Sequence, residues 1–216
     1  MEHESVIVVA GGGAVPVRAT LPAGAPVIAA DAGLDSVLAA GLHADVAVGD
    51  FDSASAAALA TAEAAGTRIV RYPAQKDATD LELALDEAAA LRPRRIVVVG
   101  VADGRLDHLL AGLLLLGAKR YAGFEIDALL GSATAHVVRG ERRLDGEPGE
   151  LVSLLALHGP AEGVVTEGLA YPLRGETLPP GSSRGVSNVF VTGEARVAVA
   201  RGVLVALRPG PEWRNE

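Results

Sequence analysis

The segment VIAADAGLDSVLAAGLHADVAVGDFDS, residues 27–53, decides the fold class of this chain. It joins two short β-branched runs, at 27–30 and 46–48, through an alanine- and leucine-rich stretch of helical length at 34–40. Two strands connected by one helix form a right-handed crossover between parallel neighbours. The segment therefore predicts one repeat of a parallel α/β sheet, with polar residues directly after each strand.

The same alternation continues on both sides of this segment, through about residue 130. It predicts further strands at 6–10, 68–72, 95–99 and 125–130, and helices at 54–65, 80–91 and 105–116. After Gly131 the apolar runs are short and separated by glycine and proline, which predicts strands at 150–157, 161–167, 195–200 and 203–207. We expect a doubly wound, mostly parallel α/β domain over 1–131 and a smaller antiparallel β-sandwich domain over 132–216.

Composition narrows the class of protein. The 216 residues are half hydrophobic, which suffices for a substantial core. A net charge of −8 without a basic run argues against binding to nucleic acid backbones, and the lack of cysteine excludes disulfides and thiolate metal sites. The leucine-rich stretch 109–116 falls short of the roughly 20 residues that span a bilayer, so we interpret it as a buried helix. The acidic N-terminus is not typical of a secretory signal, and we expect a cytoplasmic protein.

Polar residues follow four of the predicted strands. In open parallel sheets ligands bind beyond the carboxyl ends of the strands, so these residues should meet at one edge. Gathered carboxylates repel one another unless a cation lies among them, and Mg²⁺ prefers carboxylate oxygens and bridges phosphates. The pattern predicts a magnesium–nucleotide site formed from Asp31, Asp50, Asp52, Lys76, Asp77, Asp80, Asp103, Arg105, Asp107 and His108.

Some of these residues also have a simpler structural interpretation. Thr79 followed by Glu82 fits a capping box, with Asp80 in the first helical turn. Asp52 or Ser53 fits the N-cap of the helix at 54–65. Asp50, Lys76 and Asp77 are needed for neither cap, so they carry the stronger indication of a ligand site.

Two further features stay ambiguous at this level. Asp31 fits either a hydrogen bond to a ribose or the simple end of a strand. The glycine run at 11–13 follows the first strand, but it has neither the GxGxxG spacing nor a Walker lysine. For Arg105, Asp107 and His108 an exposed, charged helix start is the simpler explanation, but their position after a strand favours the ligand site.

With these residues in place, the chain resembles the thiamine pyrophosphokinase family over nearly its whole length. The resemblance lies in AADAGLDSVLAAGLHADVAVGDFDS (29–53), KDATDLELALDEA (76–88), GVADGRLDHLLAGLLLL (100–116), GPAEGVVTEGLAYPL (159–173) and GVSN (185–188). It implies transfer of the pyrophosphoryl group of ATP to thiamine, giving thiamine diphosphate and AMP. It also implies an α/β catalytic domain, a β domain that helps bind thiamine, and a homodimer with each thiamine site near the subunit interface.

The resemblance also implies roles for individual residues. Asp50, Asp52, Asp77 and Asp80 match the catalytic, magnesium-binding carboxylates, and replacing Asp77 by asparagine is expected to abolish turnover. The nucleotide side comprises Lys76, Arg105, Asp107 and His108, to which the strand-end position adds Asp31. The thiamine side comprises Tyr171, Leu173, Ser187 and Asn188.

Three positions depart from the family pattern. Asp103 stands where two glycines often precede the arginine, Val189 stands where a glutamate often follows Ser-Asn, and Ala32 replaces a common glycine. These departures leave two alternatives open: a nucleotide- or thiamine-binding module without catalysis, and a magnesium-dependent phosphotransferase that uses another acceptor.

Overall fold

The computed structural model describes residues 3–11, 15, 21–100, 105–210 and 213. The chain divides into two compact units. The first comprises Met1–Leu115 and Gly123–Gly131, and the second comprises Leu116–Ala122 and Ser132–Glu216. None of the helices in the described part of the chain combines the length and hydropathy needed to cross a lipid bilayer.

Within the described residues, the first unit has a parallel sheet of six strands and four α-helices. The strands are β1 Ser5–Val9, β2 Val27–Ala30, β3 Val46–Gly49, β4 Arg68–Arg71, β5 Arg95–Val99 and β6 Glu125–Leu130, in the spatial order β6-β5-β1-β2-β3-β4. The helices are α1 Gly33–Ala39, α2 Ala56–Ala64, α3 Asp80–Ala90 and α4 Leu106–Leu116. All neighbouring strands are parallel, which confirms the predicted α/β class.

Burial explains why the strand predictions for this unit were accurate. The residues of β2 and β3 are all buried, as are four of the five in β1 and in β5. A strand covered on both faces is a continuous apolar run, which is easy to recognise in sequence. The carboxyl ends of β2, β3 and β4 are neighbours, so the residues that follow them lie along one edge of the sheet.

The two capping predictions had different outcomes. Thr79 is the N-cap of α3, and its hydroxyl accepts a hydrogen bond of 3.2 Å from the amide of Glu82, as predicted. For α2 the prediction was wrong, because the N-cap is Ser55 rather than Asp52 or Ser53. The helix begins two residues later than expected, which leaves the Asp52 carboxylate available for another role.

The prediction of a buried helix at 109–116 was also wrong. Along α4 the side chains of Leu106, Leu110 and Leu114 are 77%, 58% and 39% exposed, whereas Gly112 and Leu116 are buried. Only part of the surface of α4 is covered, although most of its residues are apolar. Composition alone therefore overstated the burial of α4.

The second unit is antiparallel, as predicted. Its strands within the described residues are β7 Ala133–Asp145, β8 Leu151–Glu167, β9 Arg174–Leu178, β10 Asn188–Val189 and β11 Glu194–Arg208. Strand β11 lies between β7 and β8, and both β9 and β10 pair with β8. Residues from both halves of β8, including Leu154 and Val164, belong to one hydrophobic core.

The four short strands predicted for this unit are the halves of two long ones. The runs at 150–157 and 161–167 both belong to β8, and those at 195–200 and 203–207 both belong to β11. The pairing register shifts between Arg201 and Val203, where Gly202 has φ +95°. Glycine here marks an irregularity within a strand rather than its end.

Candidate active site

Three carboxylates meet at the carboxyl edge of the parallel sheet. Asp31 directly follows β2, and Asp50 and Asp52 follow β3, its parallel neighbour. One carboxylate oxygen from each residue lies within 4.8 Å of the other two. We call Asp31, Asp50 and Asp52 the carboxylate trio.

Two residues in and beside the trio have positive φ angles, which residues other than glycine rarely adopt. Asp31 has φ +44° and Phe51 has φ +60°. Positive φ is tolerated by aspartate but is a genuine outlier for a residue as bulky as phenylalanine. The Phe51 side chain belongs to the hydrophobic core of this unit, and the Arg71 guanidinium lies 5.1 Å from its ring centre. Burial of Phe51 therefore anchors the turn that presents Asp50 and Asp52.

Gly49 allows the strand ends to approach one another closely. It has φ +152°, and a Cβ atom added there would lie 3.1 Å from Asp80 Oδ1 and 3.2 Å from Asp31 Cβ. Both distances are shorter than ordinary van der Waals contact. The first residue of the GDFDS motif thus leaves the space in which two of the carboxylates lie.

Asp35 links the two loops that carry the trio. Its carboxylate, in the first turn of α1, accepts a hydrogen bond of 3.0 Å from the amide of Ser55. Ser55 in turn caps α2, accepting 3.1 Å from the amide of Ala58. The loop after β3 is therefore held at its far end by a residue that follows β2.

Lys76 supplies a positive charge beside the trio. Its ammonium donates a hydrogen bond of 2.8 Å to Asp50 and lies 3.1 Å from Asp80. This hydrogen bond lowers the pKa of the Asp50 carboxyl. Burial acts to lower the pKa of Lys76, but its hydrogen bonds to Asp50 and Asp80 outweigh burial and raise it. Both groups are therefore charged at neutral pH.

Asp31 is the least compensated member of the trio. Burial raises the pKa of its carboxyl. The nearby negative charges of Asp80 and Asp52 raise the pKa further, and together these effects outweigh the hydrogen bonds from the Ala32 backbone and the Ser53 side chain, which act to lower it. Its buried Oδ1 accepts no hydrogen bond. A buried carboxylate oxygen without a donor, close to other carboxylates, fits a divalent cation that prefers oxygen ligands.

The remaining residues predicted for the nucleotide side have different surroundings. Arg105 donates hydrogen bonds of 3.2 and 2.6 Å to Asp107, and this contact lowers the pKa of Asp107 to about 2. Both side chains are 66% exposed at the start of α4, and His108 beside them is also exposed. Asp77 is exposed too, and no group of three potential ligands in the described residues includes it. Asp103 lies outside the described residues.

The residues predicted for the thiamine side lie in the second unit and differ in exposure. Tyr171 is 56% exposed, and Ser187 is exposed with φ +54°. Leu173 is fully buried in the core, and Asn188 is 3% exposed. The side chains of Tyr171 and Ser187 can therefore reach a ligand directly, whereas Leu173 shapes the loop from beneath.

Several of the residues predicted for the site lie together in the structure, and other contacts there were not predicted. The structure brings Asp31, Asp50, Asp52, Lys76 and Asp80 together, all of which the strand-end pattern had singled out. The sequence pattern assigned Asp31 to the nucleotide, whereas in the structure Asp31 is a member of the carboxylate trio. It also missed the roles of Gly49 and Asp35, since their contacts join segments that are distant in sequence.

Two family models match the chain. One, described as the catalytic domain of thiamin pyrophosphokinase, covers residues 19–126. The other, described as the vitamin B1 binding domain of thiamin pyrophosphokinase, covers residues 135–204. The chain belongs to the thiamin pyrophosphokinase family. The trio, Lys76 and Asp80 all lie within the first match, and Tyr171, Leu173, Ser187 and Asn188 lie within the second.

Individual members of the thiamin pyrophosphokinase family agree with this assignment. The thiamine pyrophosphokinase of Bacillus subtilis is 30% identical over 187 residues, which are 84% of this chain and 86% of that protein. The crystal structure of thiamine pyrophosphokinase from Bacillus subtilis superposes with a TM-score of 0.84 at 25% identity, covering 95% of this chain and 99% of that one. A family protein from Enterococcus faecalis gives a TM-score of 0.81 at 28% identity, covering 94% and 98%.

Proposed function

We propose that the chain transfers the pyrophosphoryl group of ATP to the hydroxyl of thiamine, giving thiamine diphosphate and AMP. The observation that carries the proposal is the carboxylate trio, with its buried, unbonded Asp31 oxygen, beside Lys76. Membership of the thiamin pyrophosphokinase family supports the choice of acceptor and donor. The relative from Bacillus subtilis carries the name of this activity.

Asp31, Asp50 and Asp52 are proposed to hold Mg²⁺, with Asp80 next to them. The ion would neutralise phosphate charge and orient the β- and γ-phosphates of ATP. The Asp31 carboxylate gains most from such an ion, because its charge lacks the ammonium contact that Asp50 and Asp80 receive from Lys76. Asp77 lies outside the group of three potential ligands found in the described residues, and we propose that it contributes less to metal binding than the trio.

The cationic side chains are proposed to bind the phosphates. The Lys76 ammonium already lies beside the Asp50 carboxylate. It is therefore held close to the place where a phosphate bound to the metal ion would need a hydrogen-bond donor. Arg105 offers a planar donor group at the start of α4, and Asp107 orients that group through two hydrogen bonds. His108 and Asp107 complete the nucleotide-facing set.

As the alternative to a place among the Mg²⁺ ligands, Asp52 is proposed to accept the proton from the thiamine hydroxyl. It is exposed, it does not cap α2, and it accepts a hydrogen bond of 2.8 Å from the Ser53 hydroxyl. General-base assistance contributes about 10²–10⁴-fold, so substitution of Asp52 should be less damaging than loss of metal binding. In the second unit, the exposed Tyr171 ring and the Ser187 hydroxyl are proposed to contact thiamine.

We propose that the protein functions as a homodimer in the cytoplasm, where its cosubstrate ATP is available. The exposed leucines Leu106, Leu110 and Leu114 support the dimer, because residues four apart form one continuous stripe along a helix. Apolar stripes of this kind are typical of protein interfaces.

An acceptor panel tests the proposed reaction. The chain is incubated with ATP, Mg²⁺ and a set of alcohols that includes thiamine, and the nucleotide products are separated. The proposal is supported if AMP forms with thiamine and with none of the other alcohols. ADP or phosphate with another acceptor indicates a different phosphotransferase, and binding without turnover indicates a module that has lost catalysis.

A further inference from the structure

The side-chain amide of Asn188 is buried, and three of its four hydrogen-bonding positions are engaged with backbone groups. Its Oδ1 accepts hydrogen bonds of 2.9 Å from the amides of Tyr171 and Val189. Its Nδ2 donates 2.8 Å to the Tyr171 carbonyl. Both backbone groups of Tyr171 are thus bonded to one side chain, as they would be to a neighbouring strand.

These bonds leave Asn188 little capacity to bind a substrate. An amide oxygen has two lone pairs, and both are in use. The residue is 3% exposed, whereas the Tyr171 that it holds is 56% exposed. The side chain that can meet a ligand is therefore that of Tyr171, and Asn188 lies behind it.

The rest of the loop is held in the same manner. The Ala170 amide donates 2.9 Å to the Val189 carbonyl. The amide of Leu173 donates 2.9 Å to the Thr166 hydroxyl, while the Thr166 amide donates 3.0 Å to the Leu173 carbonyl. Tyr171 consequently projects from a segment that is fixed on both sides, with Asn188 as the contact at its own backbone.

We propose that Asn188 is a positioning residue that acts on thiamine through Tyr171 and makes no contact with the substrate itself. This proposal rests on the proposed function. A loop whose backbone is held in place before binding loses less conformational freedom when the ligand arrives. Loss of Asn188 should therefore weaken thiamine binding while leaving ATP binding and the chemical step unchanged.

The test is a double-substitution cycle on the full chain, with thiamine and ATP as the varied substrates. N188A and Y171A are each expected to raise the KM for thiamine about tenfold, with the KM for ATP and kcat within about twofold of wild type. If Asn188 acts only through Tyr171, the double variant should be no worse than Y171A alone. N188D keeps the two accepted hydrogen bonds but sets a carboxylate oxygen against the Tyr171 carbonyl in place of the donor, so it should also raise the KM for thiamine and serves as a second, independent variant.

T67V is the matched control. The Thr67 hydroxyl, in the first unit, is also buried and donates 2.7 Å to the carbonyl of Ala44. T67V should lower stability without changing the KM for thiamine. Hydrogen exchange gives a second readout, because N188A should expose the Tyr171 amide to exchange whereas T67V should not.

The outcomes separate the two levels of the proposal. Additive effects of N188A and Y171A on the KM for thiamine, or an equal rise in the KM for ATP, overturn the positioning role. An unchanged KM for thiamine in both N188A and N188D also overturns it. A wild-type chain that forms no AMP with thiamine overturns the proposed function, and the positioning role falls with it.

Discussion

Lys76 donates a 2.8 Å hydrogen bond to Asp50 across 26 residues of sequence, joining the loop after β4 to the loop after β3. The contact gives Asp50 a cationic partner within the protein. Asp31, in the same carboxylate trio, has an oxygen without any donor, and burial raises its pKa. The trio therefore contains one carboxylate that the fold stabilises and one that needs a cation from outside.

This contrast predicts opposite effects of two similar substitutions on the metal-free protein. A carboxyl whose pKa is raised on folding adds stability at low pH and loses that contribution as the pH rises through its folded pKa. At pH 7 the ionised Asp31 is thus unfavourable, and D31N should raise the melting temperature by on the order of a few degrees. For Asp50 the folded pKa is lowered, so its charge is stabilising at pH 7 and D50N should lower the melting temperature.

Thermal unfolding in EDTA at pH 7 and at pH 3 measures both effects. Each difference from wild type should shrink at the lower pH, because protonation removes charge from the carboxyls. Destabilisation by D31N at pH 7 would contradict the electrostatic description of the trio. Mg²⁺ with a nonhydrolysable ATP analogue should then stabilise the wild type more than D31N.

A second prediction concerns which carboxylate completes the metal site. The exposure of Asp77 changes the expectation drawn from the motif alone, which gave it an essential role. We now expect D31N to reduce kcat/KM by at least about 100-fold, in line with loss of an electrostatic stabiliser in a transition state. D77N should retain clearly more activity, and the concentration of Mg²⁺ that gives half-maximal rate should rise more for D31N. A D77N variant less active than D31N would return Asp77 to the metal site.

A third prediction concerns the space at Gly49. Alanine there would press a methyl group against Asp80 and Asp31, in addition to straining a positive φ. G49A should cost about 1–3 kcal/mol of stability and reduce kcat/KM at least about tenfold.

Gly41 provides the control for this variant. It also has positive φ, at +66°, but a Cβ atom there would meet nothing within 4 Å. G41A should lose stability through strain alone and keep kcat/KM within about twofold of wild type. Equal losses of activity in the two variants would show that Gly49 has no special role at the site.

A fourth prediction concerns oligomeric state. Charges placed on the leucine stripe of α4 should oppose its burial in a dimer, so L106K combined with L110K should shift the protein toward the monomer. Sedimentation velocity measures the change directly. V191K, at a residue that is 52% exposed in the second unit, is the control and should leave the mass unchanged. A wild-type protein that sediments as a monomer at micromolar concentration would contradict the dimer.

The parallel sheet could be predicted closely from sequence because its strands are short, buried and bounded by polar residues. Strands β2, β5 and β6 have the predicted bounds. For the second unit, the antiparallel class was predicted but the number and bounds of the strands were not. Glycine and proline within long strands resemble turns, so β8 and β11 were each divided in two, and β7 was missed.

For the site, sequence showed which residues belong to the sheet edge but not how they pair. The position of Asp31 after a strand marked it as a candidate, yet its proximity to Asp50 and Asp52 depends on the order of strands in space. The same holds for the Asn188 contact with Tyr171, which spans 17 residues. Contacts between distant segments follow from tertiary packing, and local sequence patterns do not encode them.

Following the β-phosphorus of ATP tests the central claim most directly. The chain is incubated with Mg²⁺, thiamine and ATP labelled at the β-phosphorus, and the products are quantified together. The label should appear in thiamine diphosphate, with one AMP formed for each molecule of that product. Label retained in ADP, with thiamine monophosphate or free phosphate as the other product, would contradict it.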